Sequence, residues 1–328
     1  MEMRPFGRLG RVSALTLGGG GIGNVWGDVD RAEAIATVRA ALDAGITMLD
    51  LAPTYGPGEA ELVVGEALGG NVPEGVLITT KIELPDDEAG GADTLVERIA
   101  EGLRGSLERL RVDRIDLYLL HSQVKPRQGP PVPRLLGIDA FRDIVRPELE
   151  RLRDAGAIGA WGLTAVGHPD ALVELFEDAP KPDAVQCVVN ALDLSGDMWI
   201  WGSDTRPDNP SVRAAAITAG IPIVAIRAVA AGSLTDGLDR QVDDDHPAAR
   251  DHRAAAGFRR LAAERGEAAA VLAHRYALSV PGVATVVLGV KNREELAQCL
   301  AAEAAGPLSA EEMRAVEATA TRVPPSPA

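Results

Sequence analysis

The chain has 328 residues, 46% hydrophobic and 25% charged, with a formal net charge of -15. This is globular composition with enough length for one large core, which excludes a disordered chain, a collagen-like fibre and a disulfide scaffold. The acidic balance argues against nucleic acid and anionic membrane surfaces as partners. No apolar run approaches the roughly 20 residues of a membrane span, and the start MEMRPFGRLG lacks a signal-peptide core, so a cytoplasmic location is expected.

The segment RPFGRLGRVSA predicts a β-hairpin that plugs the bottom of whatever follows. Eight continuous apolar runs then recur along the chain: 14–19, 46–51, 76–81, 115–121, 158–164, 184–190, 223–228 and 285–290. Continuous rather than alternating runs suit parallel strands buried on both faces. Between them lie helical patterns. Residues 30–44 place Ile35, Val38, Ala41 and Leu42 on one face before Gly45. Residues 94–110 repeat Leu95, Ile99, Leu103 and Leu107. A third pattern, 141–155, stops at Gly156, and a last one covers 292–302. Eight right-handed crossovers close into a (β/α)8 TIM barrel, here as a single domain over 1–321 with a disordered tail at 322–328. Long irregular loops after the fourth, sixth and seventh strands belong at the C-terminal mouth, where loops of this length are functional.

Cys187 and Cys299 sit inside elements with no CxxC spacing, so neither a metal site nor a disulfide is expected. Gly18, Gly20 and Gly23 spell G-x-G-x-x-G after a strand. A dinucleotide fingerprint of that type opens directly into a helix. Here Asn24, Val25, Trp26 and Gly27 intervene, so the glycines read instead as a loop at the barrel mouth.

The second, third and fourth strands end in Asp50, Lys81 and His121, and Tyr55 follows Asp50 in the loop APTYGPGE. Strand ends project at the mouth, where barrel enzymes place catalysis. A tyrosine phenol is a poor acid at neutral pH, but an adjacent ammonium stabilises the phenolate, and an aspartate beside a buried lysine keeps it charged. The group can therefore deliver a proton, with the histidine orienting a carbonyl oxygen. It holds no electron source, so a reduction needs a cofactor.

The segment GITMLDLAPTYGPGEAELVVGEAL resembles the signature of the aldo-keto reductase family, and the likeness runs from RPFGRLG to VLGVKNREEL. The resemblance implies NADPH-dependent reduction of an aldehyde or ketone, with Tyr55 as proton donor, Lys81 and Asp50 tuning it, and His121 holding the substrate. It further implies that Thr164 and Gln186 hold the nicotinamide carboxamide, although Ala165 replaces the family's asparagine. Asn190 matches a common asparagine on the same strand as Gln186. Ile226 and Arg227 replace the aromatic residue that stacks under the nicotinamide: either Ile226 forms an apolar floor or Arg227 stacks by its guanidinium plane. Gly289 lets the backbone approach a phosphate, Lys291 meets the 2′-phosphate of NADPH, and Glu295 lies at the adenine, with Cys299 in place of an asparagine. These departures leave NADH as a second candidate.

Trp26, Trp199 and Trp201 fall in mouth loops and form a candidate apolar wall for the substrate. The segment MWIWG needs a cover, which could be substrate, cofactor or the partner subunit of a homo-oligomer. His168, His246, His252 and His274 read as surface or structural. Two other functions stay open: an NAD(P)+-dependent aldose (sugar) dehydrogenase, and an NADPH-binding regulatory subunit with little turnover.

Overall fold

The computed structural model describes residues 1–84, 91–127, 135–201, 205–238 and 241–320. The expected tail at 322–328 lies outside them. Eight parallel strands form a closed barrel: β1 Leu15–Gly18, β2 Met48–Asp50, β3 Leu77–Ile82, β4 Ile115–Leu120, β5 Ile158–Ala165, β6 Ala184–Val188, β7 Ile223–Ile226 and β8 Val283–Leu288. Each strand pairs with the next in sequence. The seam closes where Val286, Val287 and Leu288 of β8 align with Leu15, Thr16 and Leu17 of β1. The eight strands fall on the eight apolar runs, because residues that face either the barrel interior or the helices leave no polar alternation.

Eight helices form the outer ring: α1 Arg31–Asp43, α2 Glu59–Leu68, α3 Gly91–Leu110, α4 Arg146–Asp154, α5 Pro169–Glu177, α6 Asn209–Thr218, α7 Ala269–Ser279 and α8 Arg293–Ala304. The starts of α1, α6 and α8 carry side-chain caps. Asp30 accepts from the Glu33 N–H at 3.0 Å, and Asn292 accepts from that of Glu295 at 2.9 Å. The inner faces are those the periodicity marks: Val38 and Ala41 of α1, and Leu95, Ile99 and Leu103 of α3, are buried.

The hairpin is present as an antiparallel pair, Met3–Pro5 with Arg11–Ser13. Phe6, at its turn, is 1% exposed and packs with Val12, Met48, Leu117, Leu119 and Val224 at the floor of the barrel. The bottom is thereby sealed by side chains, and only the C-terminal mouth is left to hold a site.

The glycine run after β1 has a packing role. A Cβ on Gly21 would lie 2.0 Å from the Val290 carbonyl oxygen, and one on Gly18 would lie 2.3 Å from that of Leu288. The run forms one helical turn, Gly19–Ile22, directly after β1 rather than the expected loop, and this turn presses onto the end of β8.

Candidate active site

Asp50 ends β2, Lys81 lies near the end of β3, and His121 directly follows β4. The His121 N–H still donates to the Ile82 carbonyl at 2.8 Å, which continues the strand ladder by one residue and fixes the histidine at the mouth. Tyr55 sits in a tight loop. Its N–H donates to the Ala52 carbonyl at 3.1 Å and its carbonyl accepts from Ala60 at 3.2 Å. Gly56, at φ 61°, would bring a Cβ to 2.1 Å from the Gly23 carbonyl oxygen, so this turn requires glycine.

These elements bring the four side chains together. Lys81 is fully buried, and Asp50 is 2% exposed. The Lys81 ammonium donates to Asp50 at 3.0 Å and to the Leu51 carbonyl at 2.6 Å. Its Nζ lies 4.8 Å from the centre of the Tyr55 ring. Burial pulls this ammonium down, but the Asp50 carboxylate and the neighbouring Tyr55 oxygen more than offset it and hold Lys81 above its ordinary range. Burial pushes the Asp50 carboxyl up against the pull of Lys81 and of a hydrogen bond from Gln186. With Asp50 and the Leu51 carbonyl both accepting from the ammonium, the arrangement holds the ion pair Lys81⁺–Asp50⁻. The His121 ring meets the Tyr55 ring edge-on, with centroids 6.0 Å apart. Burial, and secondarily the Lys81 charge, push His121 down to about 3. The imidazole is therefore neutral at physiological pH and can donate one ring N–H or accept through the other nitrogen.

A groove of about 780 Å³ runs from Tyr55 and His121 across the mouth to the start of α8. Asp50, Thr164, Gln186, Ile226, Arg227, Gly289, Lys291 and Glu295 line it together with Trp26. Thr164 Oγ1 donates to Gln186 Oε1 at 3.1 Å, and Gln186 Nε2 donates to Asp50 Oδ1 at 2.7 Å. Ile226 and Arg227, at the end of β7, both line the groove. Arg227, at φ 60°, places its guanidinium 5.4 Å from the centre of the Trp26 ring and pairs with Asp197 at 3.2 Å.

Three expected site residues stand apart from the groove. Asn190 is 4% exposed and its amide is spent on its own loop: Oδ1 accepts from Leu192 and Leu194, and Nδ2 donates to the Leu194 carbonyl at 2.8 Å. Trp201 is 4% exposed and meets the His168 ring edge-on at 5.2 Å. The cover over MWIWG thus comes, at Trp201, from this chain's own loop. Trp199 donates from its indole to the Thr205 carbonyl at 3.1 Å. The residue of this loop that lines the groove is Met198. His274, expected to be structural, also lines the groove and lies 3.7 Å from the Cys299 sulfur. That pairing joins α7 to α8, and neither residue carries a local sequence signal for it.

The fold and site define a (β/α)8 barrel with one extended groove and a Tyr–Lys–Asp–His cluster at its mouth. The chain belongs to the aldo/keto reductase family, whose model matches residues 14–321. The aldo-keto reductase YhdN of Bacillus subtilis is 36% identical over 145 residues, covering 43% of this chain and 40% of that protein. The methylglyoxal reductase YeaE of Escherichia coli is 33% identical over 156 residues, 48% of this chain and 46% of that one. The chain thus matches less than half the length of these two relatives. The glycerol dehydrogenase of Gluconobacter oxydans superposes with a TM-score of 0.67 at 26% identity, covering 97% of this chain and 94% of its own. Among the described residues, no helix is long and apolar enough to cross a membrane.

Proposed function

We propose that the chain is a nicotinamide-dependent oxidoreductase that interconverts a small carbonyl compound and its alcohol. The observation that supports this best is the junction of two features. The groove, about 780 Å³, is lined from the start of α8 to Tyr55, and a buried lysine lies beside that tyrosine with its Nζ 4.8 Å from the ring centre.

The groove residues fit a nicotinamide dinucleotide. Thr164 and Gln186 offer a hydroxyl and an amide where a carboxamide would lie. Ile226 offers an apolar floor, and Gly289 a backbone without side-chain cover. The cofactor, when bound, supplies or accepts the hydride. The chain's own residues handle the proton. In reduction, Tyr55 donates its hydroxyl proton to the carbonyl oxygen as negative charge gathers there. Lys81, held charged by Asp50, stabilises the oxygen that Tyr55 leaves behind. Neutral His121 holds the substrate oxygen by a hydrogen bond. In oxidation the same groups run in reverse.

Beside Tyr55 and His121, the substrate end is lined by Val25, Trp26, Met198 and Ile226. Apolar walls favour a short aldehyde or ketone over a polyhydroxylated sugar, whose hydroxyls would lose water without gaining partners. The name of the methylglyoxal reductase YeaE agrees with such a substrate. That of the glycerol dehydrogenase supports the oxidative direction on a short polyol as a second reading.

Tyr55→Phe tests the reading. Loss of general acid catalysis should lower kcat by about a hundredfold or more with methylglyoxal and short aldehydes, with dinucleotide binding within about threefold. Turnover within about threefold of wild type would remove Tyr55 from the chemistry.

A further inference from the structure

At the end of the groove remote from Tyr55, the lining residues are Lys291, Asn292, Glu294, Glu295, Gln298 and Cys299. Here Glu295 folds back onto the turn that opens α8. Its Oε2 accepts the Lys291 backbone N–H at 2.8 Å, and its Oε1 lies 3.7 Å from Lys291 Nζ. Asn292 fixes that geometry by accepting the Glu295 N–H. The other cation of the turn, Arg293, is held by Glu33, with Nη2 2.8 Å and Nε 3.0 Å from its carboxylate oxygens. Both backbone and side-chain donors of Lys291 that could meet an anion are therefore already facing a carboxylate, and Glu294 adds a second negative charge.

We propose that Glu295 determines coenzyme choice and that the chain takes NADH in preference to NADPH. This rests on reading the groove as a dinucleotide site. A ribose 2′-phosphate brings nearly two negative charges at neutral pH. To reach Lys291 it would have to displace Glu295 while lying beside Glu294. An unphosphorylated ribose presents hydroxyl donors instead, and a carboxylate is the acceptor that suits them. The same side chain thus rewards one coenzyme and repels the other, which is how specificity is commonly built. Lys291 alone, as the sequence presents it, points to NADPH; its carboxylate partner, one helical turn on, reverses that reading.

The test is direct binding, with no turnover required. NADH and NADPH are titrated separately into the purified chain while quenching of tryptophan fluorescence is followed, since Trp26 lines the groove. NADH should bind at least about tenfold more tightly, because juxtaposed like charges cost several kcal/mol. Glu295→Gln keeps the shape and removes the charge. It should raise NADPH affinity by about tenfold and lower that for NADH by about threefold. Equal or tighter NADPH binding by the wild type, or a preference unmoved in Glu295→Gln, overturns the inference and leaves the site reading intact. Failure of both dinucleotides to bind the folded protein overturns the site reading, and the inference with it.

Discussion

Gln186 and Asp50 meet across the barrel mouth, where Gln186 Nε2 donates to Asp50 Oδ1 at 2.7 Å. The two residues stand on β6 and β2, 136 positions apart in sequence. Thr164 joins on one side and Lys81 on the other, so a buried line of hydrogen bonds runs from Thr164 through Gln186 and Asp50 to Lys81, whose Nζ lies 4.8 Å from the centre of the Tyr55 ring. The residues read as holding the nicotinamide and those read as moving the proton share one hydrogen-bond chain.

Gln186→Leu breaks that line. Asp50 keeps its charge and loses a donor in a buried place, which costs about 1–3 kcal/mol. Urea unfolding should show this loss, and dinucleotide affinity should fall by at least about tenfold. A variant as stable as wild type would show that water replaces the amide without loss.

The Lys81–Asp50 pair is more sensitive. Removing one partner of a buried ion pair typically costs about 3–5 kcal/mol, because the other charge is stranded. Lys81→Met and Asp50→Leu should each reach that range in urea unfolding, and the double variant should be less destabilised than the sum of the singles. Simple additivity would mean that the two groups do not stabilise each other.

Two titrations should bend the pH–stability curve in opposite directions. His121 is depressed to about 3, so below its ordinary pKa the unfolded chain binds a proton that the folded chain refuses. Stability from this group is complete above about pH 6.5 and falls with decreasing pH by at most about 1.4 kcal/mol per unit. His121→Asn should remove that limb. Asp251 is raised to about 6 by burial, against a hydrogen bond from the Gly196 backbone, and its Oδ2 has no partner. The folded chain therefore binds its proton more tightly than the unfolded chain. Stability is lost as pH rises from about 4 to 6 and stays lost above. Asp251→Asn should raise the Tm at pH 8 and leave it nearly unchanged at pH 4. An equal shift at both pH values would show that Asp251 does not titrate as described.

Gly21→Ala tests the glycine run. With a Cβ aimed 2.0 Å from the Val290 oxygen, backbone must shift on both sides of the contact. A loss of more than about 3 kcal/mol is expected in urea unfolding. A loss below about 1 kcal/mol would show that the turn after β1 yields freely.

The barrel could be read from the sequence because parallel strands buried on both faces write themselves as continuous apolar runs, and all eight runs carry strands. Asp50, Lys81, His121 and Tyr55 were legible as a set because each closes or follows such a run, and neighbouring strands must bring their ends together. The loops gave no such constraint. Trp201 turns inward onto His168 and Asn190 caps its own turn, although both stand near groove residues in the chain. Glu295, expected in the site, lines the groove at the start of α8. Its grip on Lys291 depends on a side-chain direction that no periodicity encodes. His274 and Cys299 are 25 residues apart on different helices, and nothing local links them.

The residues proposed to handle the proton all fall between Asp50 and His121, within three consecutive strands, whereas most of the groove toward Lys291 comes from β5 onward. Under the proposed function the barrel is thus divided into an acid–base half and a coenzyme half. Gln186, reaching Asp50 from β6, bridges the two, so a change in the second half is felt in the first through that contact.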